Sequence, residues 1–95
     1  MIKIAVIGAG RIGQIHANNL HQNSQATLAY VSDVVSDAAT QLAKRTGAAV
    51  AEVSQILDDQ SVDAVVIASS TDTHATLVEQ AARAGKAIFC EKPLD

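Results

Sequence analysis

The sequence predicts an α/β fold in three layers, a doubly wound parallel sheet with helices on both faces, and three observations carry that prediction. Apolar runs at 2–7, 26–32, 48–51, 64–68 and 87–90 alternate with segments whose apolar residues recur at helical spacing. The connections between successive runs are too long for hairpins, so the strands run parallel and are joined by right-handed crossovers. The run Ala64-Val65-Val66-Ile67-Ala68 is apolar without alternation, as a strand covered on both faces requires. The expected strand order is 3-2-1-4-5, in a single domain over residues 1–95 that lacks the usual sixth strand and is therefore incomplete at its C-terminus.

The first strand, Ile2 to Ile7, runs directly into glycines at Gly8, Gly10 and Gly13. In a G-x-G-x-x-G pattern the first glycine permits a tight turn, the second lets a pyrophosphate approach the backbone, and the third lets the following helix lie close on the sheet. A helix from about Arg11 to His21 aims its unpaired N–H groups and positive dipole end at that pyrophosphate. The predicted ligand is a dinucleotide and the predicted fold is Rossmann-type. Ile12, Ile15 and Asn19, with Leu20 beside them, are expected on the sheet side of this helix. His16 is read as a partly buried, hydrogen-bonded residue near the cofactor end, with a pocket-lining role as the alternative.

Gln22 to Gln25 is a loop, Ala26 to Ser32 the second strand, and Asp33 closes it 20 residues beyond Gly13. At that spacing a carboxylate accepts hydrogen bonds from the adenosine ribose and repels a 2′-phosphate, favouring NAD over NADP. Ser36 to Thr46 forms a helix with Ala39, Leu42 and Ala43 inward, stopped by Gly47. Ala48 to Ala51 is a short third strand. Glu52 to Asp59 is a weak helix held by Val53, Ile56 and Leu57. Asp58 and Asp59 read as a solvated turn, because adjacent acids are not poised across a pocket.

The fourth strand opens into a polar loop, Ser69-Ser70-Thr71-Asp72-Thr73-His74, on the same carboxyl edge as Gly8, where open α/β sheets bind ligands. Asp72 or Thr73 is expected to cap the next helix, which turns Leu77, Val78 and Ala81 inward and stops at Gly85. Ala87 to Cys90 is the fifth strand, followed by Glu91-Lys92-Pro93. His74 and Lys92 are the two candidates for proton transfer: oxidation of a carbinol needs a base for the hydroxyl proton, and Pro93 holds the residue before it extended.

Composition removes several function classes. A net charge of −3 with no extended basic cluster argues against a nucleic-acid or anionic-membrane surface. Cys90 is the single cysteine and has no internal disulfide partner, which fits a reducing compartment. No signal peptide or membrane-length apolar run is present, so a cytoplasmic location is expected. No spacing of His, Cys or acids points to a metal, and no G-x-S-x-G elbow supports acyl transfer.

The segments GAGRIGQIHANNL, YVSD, VVIASSTDTHA and AGKAIFCEKPLD resemble the N-terminal half of the glucose-fructose oxidoreductase/inositol 2-dehydrogenase/rhizopine catabolism (Gfo/Idh/MocA) family, leaning towards its inositol 2-dehydrogenases. The resemblance covers all 95 residues. It implies that Gly8, Ala9, Gly10, Arg11, Ile12 and Gly13 bind the pyrophosphate, that Asp33 sets NAD preference, and that Ala68, Ser69, Ser70, Thr71 and His74 flank the ribose portions. It further implies that Lys92 contacts the nicotinamide ribose and the substrate hydroxyl and assists proton transfer, with Glu91 and Pro93 shaping its loop. The implied activity is hydride transfer between a polyol or sugar carbon and NAD, with myo-inositol, giving a keto-inositol, as the expected substrate. A second domain, absent here, would carry the remaining catalytic residues and the contacts of a homodimer or homotetramer, so the 95-residue piece alone is expected to be inactive. Action on another sugar, biliverdin reduction, glycosidic cleavage through transient oxidation, or a non-catalytic dinucleotide-sensing module are the alternatives.

Overall fold

Five parallel strands pair in the order β3-β2-β1-β4-β5, the arrangement the sequence predicts. The computed structural model describes residues 2–8, 11–22, 25–33, 36–68 and 71–90, with side chains at all of these except 11, 12, 21, 36, 71–74 and 90. In chain order the elements are β1 (Ile2–Ile7), α1 (Arg11–Gln22), β2 (Ala26–Ser32), α2 (Ser36–Thr46), β3 (Ala49–Val50), α3 (Val53–Asp58), β4 (Ala64–Ile67), α4 (Thr71–Arg83) and β5 (Ala87–Cys90).

Alternation along the strands divides the core into two layers. Ile4 and Val6 of β1 face one way, joining Leu28, Val31, Ala64 and Val66 under α1 and α2, where Ala17, Ala39, Leu42 and Ala43 close the layer. Ala5 and Ile7 face the other way, joining Val65 and Ile67 under α3 and α4 through Ile56 and Ala81. All four residues of β4 are buried, as its unbroken apolar run requires.

One feature of β2 breaks simple alternation. Ile4 pairs with Leu28 but Ala5 pairs with Tyr30, so Ala29 is an extra residue on β2, a β-bulge. The bulge lets Leu28 and Val31, three positions apart, share the α1/α2 layer and sends Tyr30 to the opposite one.

Four expectations are corrected. First, Ile15 is 51% exposed and Asn19 is exposed, whereas Gly13 and Ala17 are buried and Leu20 is half-buried. The contact line is 13, 17, 20, because small residues let the helix axis approach the sheet; Ile15 lies about 200° round the helix from Gly13. Second, β3 shrinks to Ala49–Val50. It is an edge strand with one neighbour, pairing Tyr30 with Ala49 and Val31 with Val50.

Third, α4 begins at Thr71, so the expected loop 71–74 is its first turn and Asp72 and Thr73 lie inside the helix instead of capping it. Fourth, Asp59 is not merely a solvated turn. It caps the C-terminus of α3, and its carboxylate accepts hydrogen bonds from the Tyr30 hydroxyl at 2.6 Å, from Ser61 Oγ at 2.5 Å and from the Ser61 amide at 2.9 Å. Lys86 Nζ donates to the carbonyls of Asp59 at 2.6 Å and Val62 at 2.8 Å, tying the α4–β5 connection to the same turn.

Candidate functional site

The carboxyl ends of β1, β2 and β4 meet at one place. Ile7 pairs with Ser32 on one side and with Ile67 on the other, so the next residue of each strand, Gly8, Asp33 and Ala68, stands in a row at the sheet edge. The Gly8 amide donates to the Ser32 carbonyl at 2.6 Å, and the Ala68 amide donates to the Ile7 carbonyl at 2.8 Å. The row therefore rests on backbone hydrogen bonds continuous with the sheet.

Gly8 turns the chain at φ 110°, a conformation that favours glycine. The turn brings its carbonyl against α1 so closely that a β-carbon on Gly13 would stand 1.8 Å from that oxygen; on its other side, the Ala68 β-carbon would be 3.7 Å away. Both glycines therefore answer the steric demands read from the spacing. The consequence is placement: the N-termini of α1 and α4 open on this edge, on either side of the reversal of strand order between β1 and β4. No acidic residue occupies the first turn of α1, so no carboxylate of its own would compete with an anion for the helix N-terminus.

The structure thus brings together Gly8, Gly13, Asp33 and Ala68, with Arg11, Ile12, Thr71 and His74 in the first turns of α1 and α4. Asp33 is half-buried at the end of β2. Ala9, Gly10, Ser69, Ser70, Glu91, Lys92 and Pro93 lie outside the described residues, while β5 ends at Cys90 on this same carboxyl edge. The described residues fit a dinucleotide: two glycines packed against each other at the start of α1, with a carboxylate one strand away.

His16 does not join this row. It is half-buried on α1 and lines an apolar groove with Leu20, Val66 and Phe89; Gly8, Gly13 and Asp33 are not part of that groove. The sequence reading also missed Tyr30 and Asp59 as a pair. Hydrogen bonds from Ser61 and Tyr30 hold the Asp59 carboxyl well below the usual carboxylate range, and the hydrogen bond to Asp59 pushes the Tyr30 phenol up. The available signal was an isolated tyrosine inside an apolar strand, whose hydroxyl needs a partner. Among the described residues no three His, Cys, Asp or Glu side chains gather as a metal site, and no helix is long and apolar enough to cross a membrane.

Comparison with known proteins points the same way. Residues 2–95 match the family model GFO_IDH_MocA, described as an oxidoreductase family with an NAD-binding Rossmann fold. The chain is 47% identical over 94 residues to an inositol 2-dehydrogenase of Rhizobium meliloti strain 1021, an alignment covering 99% of this chain and 28% of that protein. Its fold matches a crystal structure of a myo-inositol dehydrogenase from Corynebacterium glutamicum with a TM-score of 0.91 and 35% identity, covering 100% of this chain and 29% of that one. It also matches scyllo-inositol dehydrogenase from Lactobacillus casei with bound NAD(H) and scyllo-inositol, with a TM-score of 0.88 and 34% identity over 100% and 29% of the two chains. The chain spans less than a third of the length of these relatives.

Proposed function

The chain belongs to the Gfo/Idh/MocA oxidoreductase family, with its NAD-binding Rossmann fold, and from that premise we propose that it is the cofactor-holding part of a longer NAD-dependent polyol or sugar dehydrogenase. The observation that carries the reading is the row Gly8, Asp33 and Ala68 under the N-termini of α1 and α4. Residues Gly8 to Gly13 would hold the pyrophosphate through backbone N–H groups, and Asp33 the adenosine ribose hydroxyls. Residues 68–71 and His74 would border the ribose portions, and Glu91 with Pro93 would shape the cofactor-side loop that carries Lys92.

Bound NAD supplies a hydride acceptor. The chain's own contribution is to fix where that acceptor lies and to manage the substrate proton, for which Lys92 is the assigned residue. A lysine there orients the substrate hydroxyl and receives its proton as the carbinol becomes a carbonyl. The names of two relatives, an inositol 2-dehydrogenase at 47% identity and a myo-inositol dehydrogenase at 35%, favour myo-inositol going to a keto-inositol, with scyllo-inositol, the substrate named for a third, as the alternative. The remaining catalytic groups and the contacts of a homodimer or homotetramer would come from a second domain beyond residue 95. The whole protein would work in the cytoplasm, and the 95 residues alone would not turn over substrate.

Calorimetric titration of the full-length polypeptide with NAD and with NADP tests the reading. Tighter binding of NAD is expected. Equal affinity, or tighter NADP, would overturn the role given to Asp33, and absence of binding to either would overturn the cofactor assignment.

A further inference from the structure

The two faces of the sheet are not equally covered. On one, α1 and α2 lie over β1 and β2, and α1 also meets β4. Beyond that line Phe89, which pairs with Val66 across β4 and β5, is 60% exposed. Between it and α1 runs a groove of about 510 Å³, floored by Ile4, Val66 and Phe89 and walled by His16, Asn19 and Leu20. A parallel sheet is normally covered on both faces, and an apolar groove beside an exposed aromatic marks a contact surface.

Handedness decides what can fill it. The steps from β1 to β2 to β3 travel one way along the sheet and lay α1 and α2 on this face. The step from β4 to β5 travels the other way and lays α4 on the opposite face, where Leu77, Val78 and Ala81 pack. A further parallel strand beside β5 would be reached by another right-handed crossover in the same direction, with its helix on the α4 face. The next crossover helix therefore cannot cover Phe89.

The curated relative at 47% identity extends well beyond the 28% of its length aligned here, so there is ample chain to supply a cover. We propose that the groove receives an amphipathic helix from the distal part of the longer polypeptide, from beyond the strand that would follow β5. Its aliphatic stripe meets Phe89 and Leu20, and its polar flank meets His16 and Asn19. The inference rests on the reading of this chain as part of a longer enzyme, and it assigns the groove as the seat that fastens the second domain to the sheet.

The test uses the full-length polypeptide with its other cysteines replaced by serine. Maleimide modification of Phe89→Cys is compared with that of Gln41→Cys, on the exposed side of α2, each normalised to its rate in denaturant. Phe89→Cys is expected to react at least about tenfold more slowly than Gln41→Cys, independently of protein concentration. Equal rates would overturn the proposal, and protection lost on dilution to monomer would assign the groove to a second copy instead. Asn19→Cys carrying a photo-crosslinker serves if Phe89→Cys does not fold. Linkage to a segment beyond the sixth strand supports the proposal, and linkage between β5 and that strand, or to another subunit, refutes it. NAD titration of the same proteins reads the cofactor assignment separately: a bare groove with NAD bound defeats the docking proposal alone, and a protected groove without NAD binding defeats the cofactor reading alone.

Discussion

The carbonyl oxygen of Gly8 lies 1.8 Å from where a β-carbon on Gly13 would stand, and its carbonyl carbon lies 2.8 Å away. Both atoms are backbone and cannot rotate aside. The turn after β1 and the depth of α1 on the sheet are therefore set by each other, and so is the position of the helix N-terminus that faces the candidate pyrophosphate site.

Replacing Gly13 by Ala should lower stability by about 2–4 kcal/mol, an overpacking against immobile atoms, and should weaken NAD binding by displacing the start of α1. Gly47→Ala is the comparison, since nothing lies within 4 Å of the added carbon and only its φ of +82° opposes it. That change should lose about 1–2 kcal/mol and leave NAD binding intact. Urea denaturation of both variants measures the difference, and the reverse ranking would contradict the packing argument.

Tyr30→Phe should lower the melting temperature by several degrees at neutral pH and flatten the dependence of stability on pH. The depressed Asp59 carboxyl contributes stability that is present above its unfolded value of about 3.9 and is lost as pH falls through the native one. The raised Tyr30 phenol contributes stability that is present below its unfolded value of about 10 and is lost as pH rises through the native one. The gap between wild type and variant should thus be widest between these limits and narrow outside them. Melting curves across pH check this, and a gap that is constant with pH would contradict it.

Lys86→Met keeps the aliphatic stem but leaves the carbonyls of Asp59 and Val62 without the ammonium that joins them. A loss of about 1–3 kcal/mol is expected, read by denaturant unfolding, with NAD affinity unchanged because the turn is remote from Gly8. Arginine at the same position should restore part of the loss.

Asp33→Ser in the full-length polypeptide should weaken NAD binding and narrow its advantage over NADP. Hydrogen bonds to a charged group are worth about 1.5–3 kcal/mol, or roughly tenfold to a hundredfold in affinity. Calorimetry with both dinucleotides reads the change, and an unaltered ratio would remove Asp33 from the site.

Lys92→Ala should lower turnover by about 10²–10⁴-fold, the usual contribution of a positioned acid or base, while NAD still binds. Steady-state kinetics beside equilibrium titration separate these effects. Unchanged turnover would leave the proton without its assigned carrier.

The parts of the fold legible in the sequence are those set by unbroken patterns. The fourth strand, Ala64–Ile67 and one residue shorter than its apolar run, the helix Ser36 to Thr46 with its terminating Gly47, and the strand Ala26 to Ser32 stand where the residues place them. The site was legible where chemistry is tied to backbone shape, as at Gly8 and Gly13, whose spacing states a steric requirement. What escaped depends on size and on distant partners. Ile15 is more hydrophobic than Ala17, yet the buried line of α1 is chosen by how near its axis must come to β1. Asp59 and Tyr30 are 29 residues apart, and no local pattern announces their bond.

The additional residue at Ala29 gives β2 two halves that are out of step by one position. Deleting it would only shorten the strand, since Tyr30 would still pair with Ala5; flattening the bulge with Ala29 kept would instead turn over every residue from Tyr30 onward, taking the tyrosine from Asp59 and presenting Asp33 from the reverse side. The facing of the acid proposed to choose the cofactor is therefore set by the bulge as well as by the strand's alternation. The bulge absorbs one residue, so the acid at the end of β2 keeps the facing that a regular strand one residue shorter would give it.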